Sequence, residues 1–261
     1  MAGIPFFLEP RPFTVTSASA GPAERPASHL AEFKYAGMVW QSNAASEHIV
    51  VVDFGAAVTI DHVSLLNTNA QADTRMWIGM GTSAAEASGG SPAFSTAPAP
   101  LITPAVTGRD RYHGFLSFAP QTYRYMALRT DTHSGVFEAS ILAAGQRIGP
   151  SKYYEPEWET GPEDLGTLAY GRNGVPEIAD GATLRRLGFT TAWMTEAEHE
   201  TIFQPLLQRL GRRGSVLCCF DPEATIYRQG RTYFGTMADQ GRPRKIGFNR
   251  FEKRFEIVSI I

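Results

Sequence analysis

The sequence is poor in the features that staple small secreted proteins or anchor a chain in a membrane. Only two of its 261 residues are cysteine, and these are adjacent, Cys218 and Cys219. Neighbouring cysteines do not link distant loops, so a disulfide framework is excluded. No apolar run approaches the roughly 18 residues of a membrane-spanning helix, and the N-terminus lacks the basic region of a secretory signal. These absences predict a soluble protein made in the cytoplasm, without membrane insertion.

An excess of charge of one sign is also missing, since 24 basic residues stand against 26 acidic ones. This balance argues against a surface built to coat nucleic acid or an anionic membrane. The basic turn at 241–245 lacks interleaved aromatic residues, so no specific nucleic-acid site is predicted. Charge is nevertheless uneven: residues 151–204 carry 4 basic and 10 acidic side chains, whereas residues 205–261 carry 11 and 5. This asymmetry predicts complementary surfaces within a domain or between subunits, with scattered solvated charge as the alternative.

Recognisable catalytic motifs are scarce. The sequence has neither a glycine-rich phosphate loop followed by Lys-Ser/Thr nor a Gly-x-Ser-x-Gly elbow. Glu196 and His199 have the spacing of carboxylate-bridged metal sites, but a second copy of the motif is missing, and acidic residues also favour the start of a helix. The cysteine pair is interpreted as two small apolar residues on a buried strand, in preference to a redox or metal pair. The prediction is a non-enzymatic protein with no catalytic residue, metal ion or cofactor.

Acidic residues between positions 155 and 164 offer an alternative route to catalysis. They are Glu155, Glu157, Glu159, Glu163 and Asp164. Glycoside hydrolases use paired carboxylates of this kind, so a glycan-cleaving enzyme is kept as a minor alternative. The neighbouring proline and glycine residues favour a solvated or partner-facing surface instead.

The first 149 residues have the pattern of a β-sandwich. Six short segments of β-forming residues are predicted as strands, at 48–54, 58–67, 75–80, 114–118, 123–129 and 136–143. A stretch rich in Ala, Ser, Gly and Pro at 83–104 is predicted as a surface loop. Short strands at this spacing are typical of a sandwich or barrel.

The remainder of the chain divides into an arm and a smaller β domain. Residues 150–181 combine turn residues with aromatic ones, which predicts an arm or linker that packs against something. Residues 182–261 contain strands and one helix, predicted at 195–210 from a capping box and an apolar stripe. A hairpin is predicted at 227–237. The fold class is therefore predicted to be mainly β, with an N-terminal β-sandwich and a C-terminal β-sandwich or barrel flanked by one α-helix.

One set of residues in the first domain fits carbohydrate recognition. A sugar needs an aromatic face to stack on and amide or guanidinium groups to bind its hydroxyls. The candidate carbohydrate-binding residues flank strand ends: Trp40, Asn67, Asn69, Arg75 and Trp77. The alternative is that both tryptophans are core residues and both asparagines stabilise turns.

A second set of residues is expected to contact other subunits. The candidates are aromatic side chains in the arm and basic side chains at the end of the predicted helix: Tyr153, Tyr154, Trp158, Arg209, Arg212 and Arg213. Large aromatic residues are unusual in a mere tether. Opposite charge on neighbouring segments suits head-to-tail contacts between two different patches.

The first half of the chain resembles galactose-binding-like domains, also called discoidin or F5/8 type C domains. The resemblance rests on the order of weak motifs over about 135 residues: Val15–Ser19, Trp40–Ser42, Val52–Gly55 with Ile60–Asp61, Tyr123–Leu128 and Phe137–Ile141. It implies a β-sandwich that binds carbohydrate or protein and is seldom catalytic. Binding loops vary widely in that family, so the resemblance assigns no ligand residue.

The C-terminal part resembles tail proteins of long-tailed bacteriophages and of the related gene transfer agents. The likeness is carried by Arg185–Phe189, the helix start Thr195–Glu198, Val216–Leu217 leading to Phe220–Pro222, Tyr233–Gly235 and the terminal strand. It implies a tail-tube-like domain that assembles as a ring. The domain order departs from that of the usual distal tail protein, in which the ring domain comes first, and this leaves the position within the tail open.

Together, the resemblances imply a non-enzymatic structural protein of the virion, located at the tail tip and made in the cytoplasm of the bacterial host. The implied partners are further copies of the chain in a ring, expected to be a hexamer, and the tail tube, tape-measure and hub proteins. The N-terminal domain would add attachment to a carbohydrate of the host cell surface. The alternative function is a stand-alone carbohydrate-binding module or adhesin.

Overall fold

The computed structural model describes residues 4–43, 46–152, 154–155, 157–170, 172–239 and 243–261. The chain forms two compact units that are interleaved in sequence. Unit 1 consists of Met1–Gly149 and Leu217–Thr232, and unit 2 consists of Pro150–Val216 and Tyr233–Ile261. The predicted boundary at 149 coincides with the end of the first part of unit 1. Two differences remain: residues 150–181, predicted as a separate arm or linker, fall in the same unit as 182–216, and residues 217–232 fall in unit 1.

Strands make up most of the regular structure in these residues, so the chain is mainly β, as predicted. In chain order the strands are β1 (Phe6–Leu8), β2 (Thr14–Ala18), β3 (Trp40–Gln41), β4 (Glu47–Thr68), β5 (Arg75–Gly81), β6 (Phe94–Ser95), β7 (Ala99–Pro100), β8 (Tyr112–Asp131), β9 (Glu138–Ala139), β10 (Ile141–Gly145), β11 (Arg147–Ile148), β12 (Trp158–Asp164), β13 (Thr167–Tyr170), β14 (Pro176–Ala179), β15 (Thr183–Met194), β16 (Ser215–Cys219), β17 (Thr232–Asp239), β18 (Arg244–Gly247) and β19 (Arg250–Ser259).

Helices are short. They are α1 (Ala84–Ser88), α2 (Glu196–Glu198) and α3 (Gln204–Leu210), with 3₁₀ turns at Ala27–Ala31 and Gln229–Arg231 and a π turn at His199–Phe203. The helix predicted at 195–210 is therefore one run in three parts. It begins with the expected capping box, in which Thr195 Oγ1 accepts from the Glu198 N–H (3.2 Å) and Glu198 Oε2 accepts from the Thr195 N–H (2.9 Å). No helix of the described residues is long and apolar enough to cross a membrane.

Two long strands organise unit 1. β4 and β8 pair antiparallel from Glu47 opposite Asp131 to Thr68 opposite Tyr112, with three register shifts. The sequence predicted each of them as two separate strands, but the structure continues through the turn-like residues between the pairs. β2, β5 and β10 extend the sheet. Register shifts bend a ladder, and the bent sheet encloses one core in a sandwich-like arrangement.

The core of unit 1 is apolar. Inward-facing residues such as Val52, Ile78 and Met126 are fully buried in a single cluster. On the opposite side of the ladder, Ala87 of α1 packs against Val51. Each large aliphatic side chain buried in this way contributes about 1.5–3 kcal/mol to the hydrophobic stabilisation of the fold.

A segment from the C-terminal half belongs to unit 1. Leu217–Cys219 of β16 pair with β1. Further along, the fully buried Gln229 binds both backbone groups of His113: its Oε1 accepts from the His113 N–H (2.8 Å), and its Nε2 donates to the His113 carbonyl (2.7 Å). The side-chain amide thereby imitates a neighbouring strand. We call this pair of bonds the Gln229 clamp, and it ties residues 217–232 to β8.

Two other sequence-based assignments need correction. The hairpin predicted at 227–237 contains one strand, β17, because the residues before it form the 3₁₀ turn that carries Gln229. The loop predicted at 83–104 contains α1 and the short strands β6 and β7, which pair with β5. In the first place the partner, His113, is distant in sequence, whereas β6 and β7 pair with the nearby β5.

Unit 2 is an antiparallel sheet with one helical run. The strand order is β17, β19, β15 and β12, and β18 pairs with the first residues of β19. β19 alternates, with Phe255 and Ile257 fully buried on one face. Lys253 shares that face and is 1% exposed, with its Nζ 5.4 Å from the centre of the Phe255 ring. Phe203 of the helical run packs on the same ring at 5.7 Å between centroids.

We expect Gln229→Ala to lower the free energy of unfolding by about 1–3 kcal/mol, because two hydrogen bonds to a buried backbone are lost. Urea unfolding followed by tryptophan fluorescence measures this change. Gln208 is exposed on α3 and is the matched control, since Gln208→Ala should change stability by less than about 0.5 kcal/mol. Equal stability of the two variants would show that the Gln229 clamp contributes nothing.

Candidate functional site

Trp40 lies in the core of unit 1. Only 2% of its surface is exposed, and its ring packs edge-on against Phe137 with centroids 5.9 Å apart. The β3 backbone also pairs Trp40 with Ala139 of β9. A stacking platform must be open to its ligand, so Trp40 is removed from the candidate carbohydrate-binding set as a core residue.

Both asparagines of the predicted set bind other parts of the chain. Asn67 donates from Nδ2 to Ser140 Oγ (2.8 Å). Asn69 donates to the Val136 carbonyl and accepts from the Glu138 N–H, both at 2.8 Å. Their amides hold the neighbouring loop and strand in place, which is the turn-stabilising alternative considered from the sequence.

Arg75 and Trp77 lie two residues apart on the outer face of β5. Arg75 makes a two-pronged ion pair with Asp131, with distances of 2.9 and 2.5 Å, and this pairing raises the pKa of the Arg75 guanidinium. Trp77 is half-buried. Of the five predicted residues, these two lie on one face of one strand, β5.

A cleft of about 300 Å³ opens beside Trp77. Its lining combines the indole with hydroxyl groups, glycine backbone and a guanidinium, and includes Trp77, Gly89, Gly90, Ser95, Thr96 and Arg129. Arg129 is fixed by Glu47 Oε1 (2.5 Å) and by the Ser88 carbonyl. An aromatic face beside fixed polar groups is the combination that binds a sugar ring.

The aromatic residues predicted to contact other subunits pack within unit 2. Tyr154 lies edge-on to Phe189, with ring centroids 6.1 Å apart, and Trp158 is the strand partner of Phe189. Both are half-buried, so part of each side chain packs within unit 2 and part stays accessible. Tyr153 lies outside the described residues. The three basic candidates are exposed at or after the end of α3: Arg209, Arg212 and Arg213.

The segment between β12 and β15 forms a separate two-stranded hairpin, β13–β14 (residues 167–179). From here on, the arm means this hairpin alone, which is shorter than the arm or linker predicted at 150–181. Leu168 lies opposite Ile178, and Tyr170 lies opposite Pro176, so these four side chains share one face. Leu168 is 60% exposed, and Tyr170 and Ile178 are each 70% exposed. All residues of both strands are exposed. The arm therefore presents an uncovered apolar face.

A second apolar group projects from the β18–β19 turn, which we call the tip (residues 244–249). Phe248 is 98% exposed. Arg244 and Lys245 on β18 are exposed beside it and form ion pairs with Glu252 (3.1 Å) and Glu196 (3.3 Å). Part of the basic turn predicted at 241–245 lies outside the described residues. The described part forms a basic strand that leads to an exposed aromatic ring.

The sequence analysis predicted an arm within 150–181, but it missed the hairpin and its apolar face, and it missed the tip. The arm has a readable signal, because apolar residues alternate on either side of Asn173 and Gly174, a pair typical of tight hairpin turns. Gly174 adopts φ 74°, a conformation that favours glycine. Phe248 has no comparable signal, since an aromatic residue between a glycine and an asparagine looks the same whether the turn is covered or open.

The acidic residues of β12 face arginines. Glu159 accepts from Arg254 (2.9 Å), and Glu163 accepts from Arg186 (3.1 Å). Arg186 also pairs with Glu256 at 3.3 Å. A glycoside hydrolase needs two carboxyl groups that face one sugar across about 5–9 Å. Ion pairs therefore occupy two of the five carboxylates on which the glycan-cleaving alternative rests, and Asp164 accepts a hydrogen bond from the Gly166 N–H (2.8 Å).

Glu196 and His199 do not converge on a metal site. Glu196 forms an ion pair with a lysine of the tip, while His199 is buried and stacks on Phe251 with centroids 4.7 Å apart. In the part of the chain that the structure describes, no three His, Cys, Asp or Glu side chains come together to hold a metal ion. Both cysteines are fully buried. Burial raises the pKa of Cys219 to about 12 and that of Cys218 well above its usual value, which suits apolar strand residues.

Two motifs that carry the resemblance to galactose-binding-like domains meet in the structure. Asp53 accepts two hydrogen bonds from Arg124, each 2.8 Å, and a third from the Gly55 N–H at 2.7 Å. These bonds lower the pKa of Asp53 to about 2. The contact joins β4 to β8 beside a register shift, so these motif residues stabilise the sheet.

No protein-family model and no curated protein matches this sequence significantly. Among solved structures, the chain is similar to chitosan-binding module 1 of a chitosanase/glucanase from Paenibacillus sp. IK-5. The identity is 18% over 52% of this chain and 95% of the module, with a TM-score of 0.36. It is also similar to the family 32 carbohydrate-binding module of C. perfringens NanJ in complex with galactose, at 14% identity over 54% of this chain and 98% of the module, with a TM-score of 0.40.

The lectin domain of lectinolysin, complexed with Lewis B antigen, is a third similar structure. It is 12% identical over 52% of this chain and 92% of the domain, with a TM-score of 0.37. Identities and TM-scores this low transfer neither a ligand nor a binding residue to the present chain.

His62 is a buried titratable group of unit 1. Its Nδ1 lies 2.8 Å from Ser117 Oγ, and its Nε2 lies 2.7 Å from Ser64 Oγ. Burial lowers the pKa of His62 to about 3, with further contributions from the charges of Arg147 and Arg228. The folded protein therefore keeps this ring neutral at pH values where the unfolded chain binds a proton.

We expect His62 to make the fold sensitive to acid. Because its pKa is lowered by folding, its contribution to stability is complete above about pH 6.5 and is lost as the pH falls towards 3. The loss should be about 1.4 kcal/mol per pH unit. Urea unfolding between about pH 7 and pH 4.5 should show a shallower pH dependence for His62→Gln than for the wild type. Gln208→Ala, at an exposed position of α3, should keep the wild-type dependence. An unchanged slope in His62→Gln would contradict this prediction.

Proposed function

We propose that this chain is a non-enzymatic structural protein of the virion, located at the distal end of a phage tail and assembled there into a ring of its own copies. The observation that carries the proposal is the uncovered apolar face of the arm. Leu168, Tyr170 and Ile178 are 60–70% exposed on a hairpin that no other strand extends in the described part of the chain.

A face of this kind needs a partner. An isolated two-stranded hairpin is marginally stable in water at best, and contiguous exposed apolar side chains mark interaction surfaces. The arm joins β12 to β15 without being part of their sheet. A contact with another molecule would supply the burial that the arm lacks within its own chain.

Part of the charge asymmetry is matched within unit 2, where Glu159 pairs with Arg254 and Glu196 pairs with Lys245. We assign the remainder to contact between copies of the chain. Residues 151–204 carry an excess of acidic side chains, and residues 205–261 carry an excess of basic ones. Opposite charge on two different patches favours heterologous contacts, which close into rings when the rotation between copies allows it. A hexamer is the form that we propose.

The location in the tail rests on the sequence resemblance of 185–261 to phage tail proteins. In this proposal, the tail tube, tape-measure and hub proteins are neighbours of the ring, and the chain reaches the virion from the host cytoplasm. Immunogold electron microscopy of particles from the bacterium that carries the gene tests the location. Label at the tail tip is the expected result, whereas unlabelled, intact particles with soluble antigen would exclude it.

We expect the double variant Leu168→Asp/Ile178→Asp to remain folded but to lose self-association, because charge on the arm face prevents its burial. Size-exclusion chromatography with light scattering measures the mass of the assembly, and circular dichroism confirms the fold. Thr167→Asp/Ala179→Asp is the matched control, since that pair lies on the other face of the same hairpin and should assemble. Assembly of the Leu168/Ile178 variant at wild-type mass would exclude the arm as a contact.

A second candidate function, carbohydrate binding by unit 1, is favoured by the Trp77 cleft. The cleft offers a half-buried indole, two hydroxyl side chains and exposed glycine backbone in about 300 Å³. That volume is at the lower end of the range for small-ligand sites. Several copies in a ring would multiply a weak affinity for a cell-surface glycan.

We expect Trp77→Ala to weaken sugar binding at least tenfold, or about 1.4 kcal/mol, without unfolding the chain. The full chain is needed, because unit 1 includes residues 217–232. Isothermal titration with a panel including galactose and chitosan oligosaccharides measures binding. Trp193→Ala, at a 50% exposed tryptophan of unit 2, is the control and should bind as the wild type does. Binding that survives Trp77→Ala would place the sugar elsewhere.

A further inference from the structure

Unit 2 carries two uncovered apolar features, the arm and the tip. The arm exposes Leu168, Tyr170 and Ile178, and the tip exposes Phe248, which is 98% accessible. Neither feature contributes to the core of its own unit. Each is large enough to anchor a contact, since aromatic and aliphatic side chains that fill a partner's pocket dominate the energy of interfaces.

The topology of unit 2 places these features at opposite ends of one sheet. β12 ends at Asp164 opposite Thr183, and Arg185 in turn lies opposite Ser259. The arm therefore leaves the sheet beside the end of β19. The tip instead leads directly into Arg250, the first residue of β19. Ten residues of extended strand separate the two ends by about 30 Å.

This separation decides whether the arm can contact the tip of its own chain or only that of another copy. The two strands of the arm have four residues each, so they span only about 13 Å. The arm is thus too short to reach the tip of its own chain along β19. An arm at one end and a tip at the other can meet when a second copy is placed end to end with the first.

The charges around the two features are opposite. Residues 155–180 contain seven acidic side chains and one basic one, and Glu177 and Asp180 are exposed on and beside the arm. Residues 242–254 contain six basic side chains and one acidic one, with Arg244 and Lys245 exposed next to Phe248. Because Arg244 and Lys245 already pair within the chain with Glu252 and Glu196, the attraction between an arm and a tip comes from sharing these exposed bases with Glu177 of the neighbouring copy.

We propose that the arm of one copy packs on the tip of the next, with the Phe248 ring against the Leu168–Tyr170–Ile178 face and Arg244 and Lys245 beside Glu177. This inference rests on the proposed self-assembly and specifies the surfaces that carry it. The contact is heterologous, because each copy offers one arm and one tip to two different neighbours. All residues named in the contact belong to unit 2.

The test mixes two full-length variants that are each defective at one surface. The arm-defective variant is Leu168→Asp/Ile178→Asp, and the tip-defective variant is Phe248→Asp. Each should be monomeric alone by light scattering. An equal mixture retains one intact arm and one intact tip for every pair of chains, so it should form dimers and nothing larger. Ile226→Asp, at a 61% exposed position of unit 1, is the control and should assemble as the wild type does.

Each other outcome overturns the inference in a distinguishable way. If Phe248→Asp assembles alone at wild-type mass, or the mixture stays monomeric while the wild type assembles, the arm–tip contact is wrong and self-assembly stands. If the wild type is monomeric at all accessible concentrations, both the contact and the proposed self-assembly are wrong. Circular dichroism of each variant checks that the changes act on assembly, since all substituted residues are exposed.

Discussion

The antiparallel pairing of β4 with β8 is the constraint on which unit 1 depends. The buried N–H and C=O groups of so long a ladder must stay hydrogen-bonded where the strands bend. The three register shifts let the strands bend while the pairing continues on either side. Because β5 lies along β8, the same ladder sets the position of Trp77 and of the cleft beside it. It also fixes His113, to which Gln229 attaches. The core, the cleft and the clamp are consequences of one pairing.

Unit 2 is organised differently, because its sheet leaves large apolar side chains outside the core. In β19, alternation directs Phe255 and Ile257 inward, and this accounts for the stability of the sheet. The arm and the tip add nothing to that core. A protein that exposes such residues incurs a risk of aggregation. Exposed charged side chains flank both features, and such charges oppose aggregation at exposed edges.

The sequence was informative where local patterns decide the structure. The mainly β class, the helical run from Thr195 and the alternation of β19 follow from periodicity and capping, which act over a few residues. It was uninformative where distant partners decide. Trp40 is of a residue type that stacks on sugars, but the structure buries it in the core. From the sequence, β4 and β8 were predicted as four strands, because the residues at their register shifts have the composition of turns. The turn that carries Gln229 is held by hydrogen bonds to His113, which lies more than a hundred residues earlier in the sequence. No local sequence pattern predicts such a contact.

The interleaving of the two units has a consequence for biosynthesis. Domains generally fold from the N-terminus as the chain leaves the ribosome. Here β1 pairs with β11 early, but its other neighbour is supplied by Leu217–Cys219, so that edge remains open while residues 150–216 are translated. Gln229 arrives later still. Translation that stops early leaves an unfinished first unit with an open strand edge, and complete first units occur only in chains that already contain most of the second.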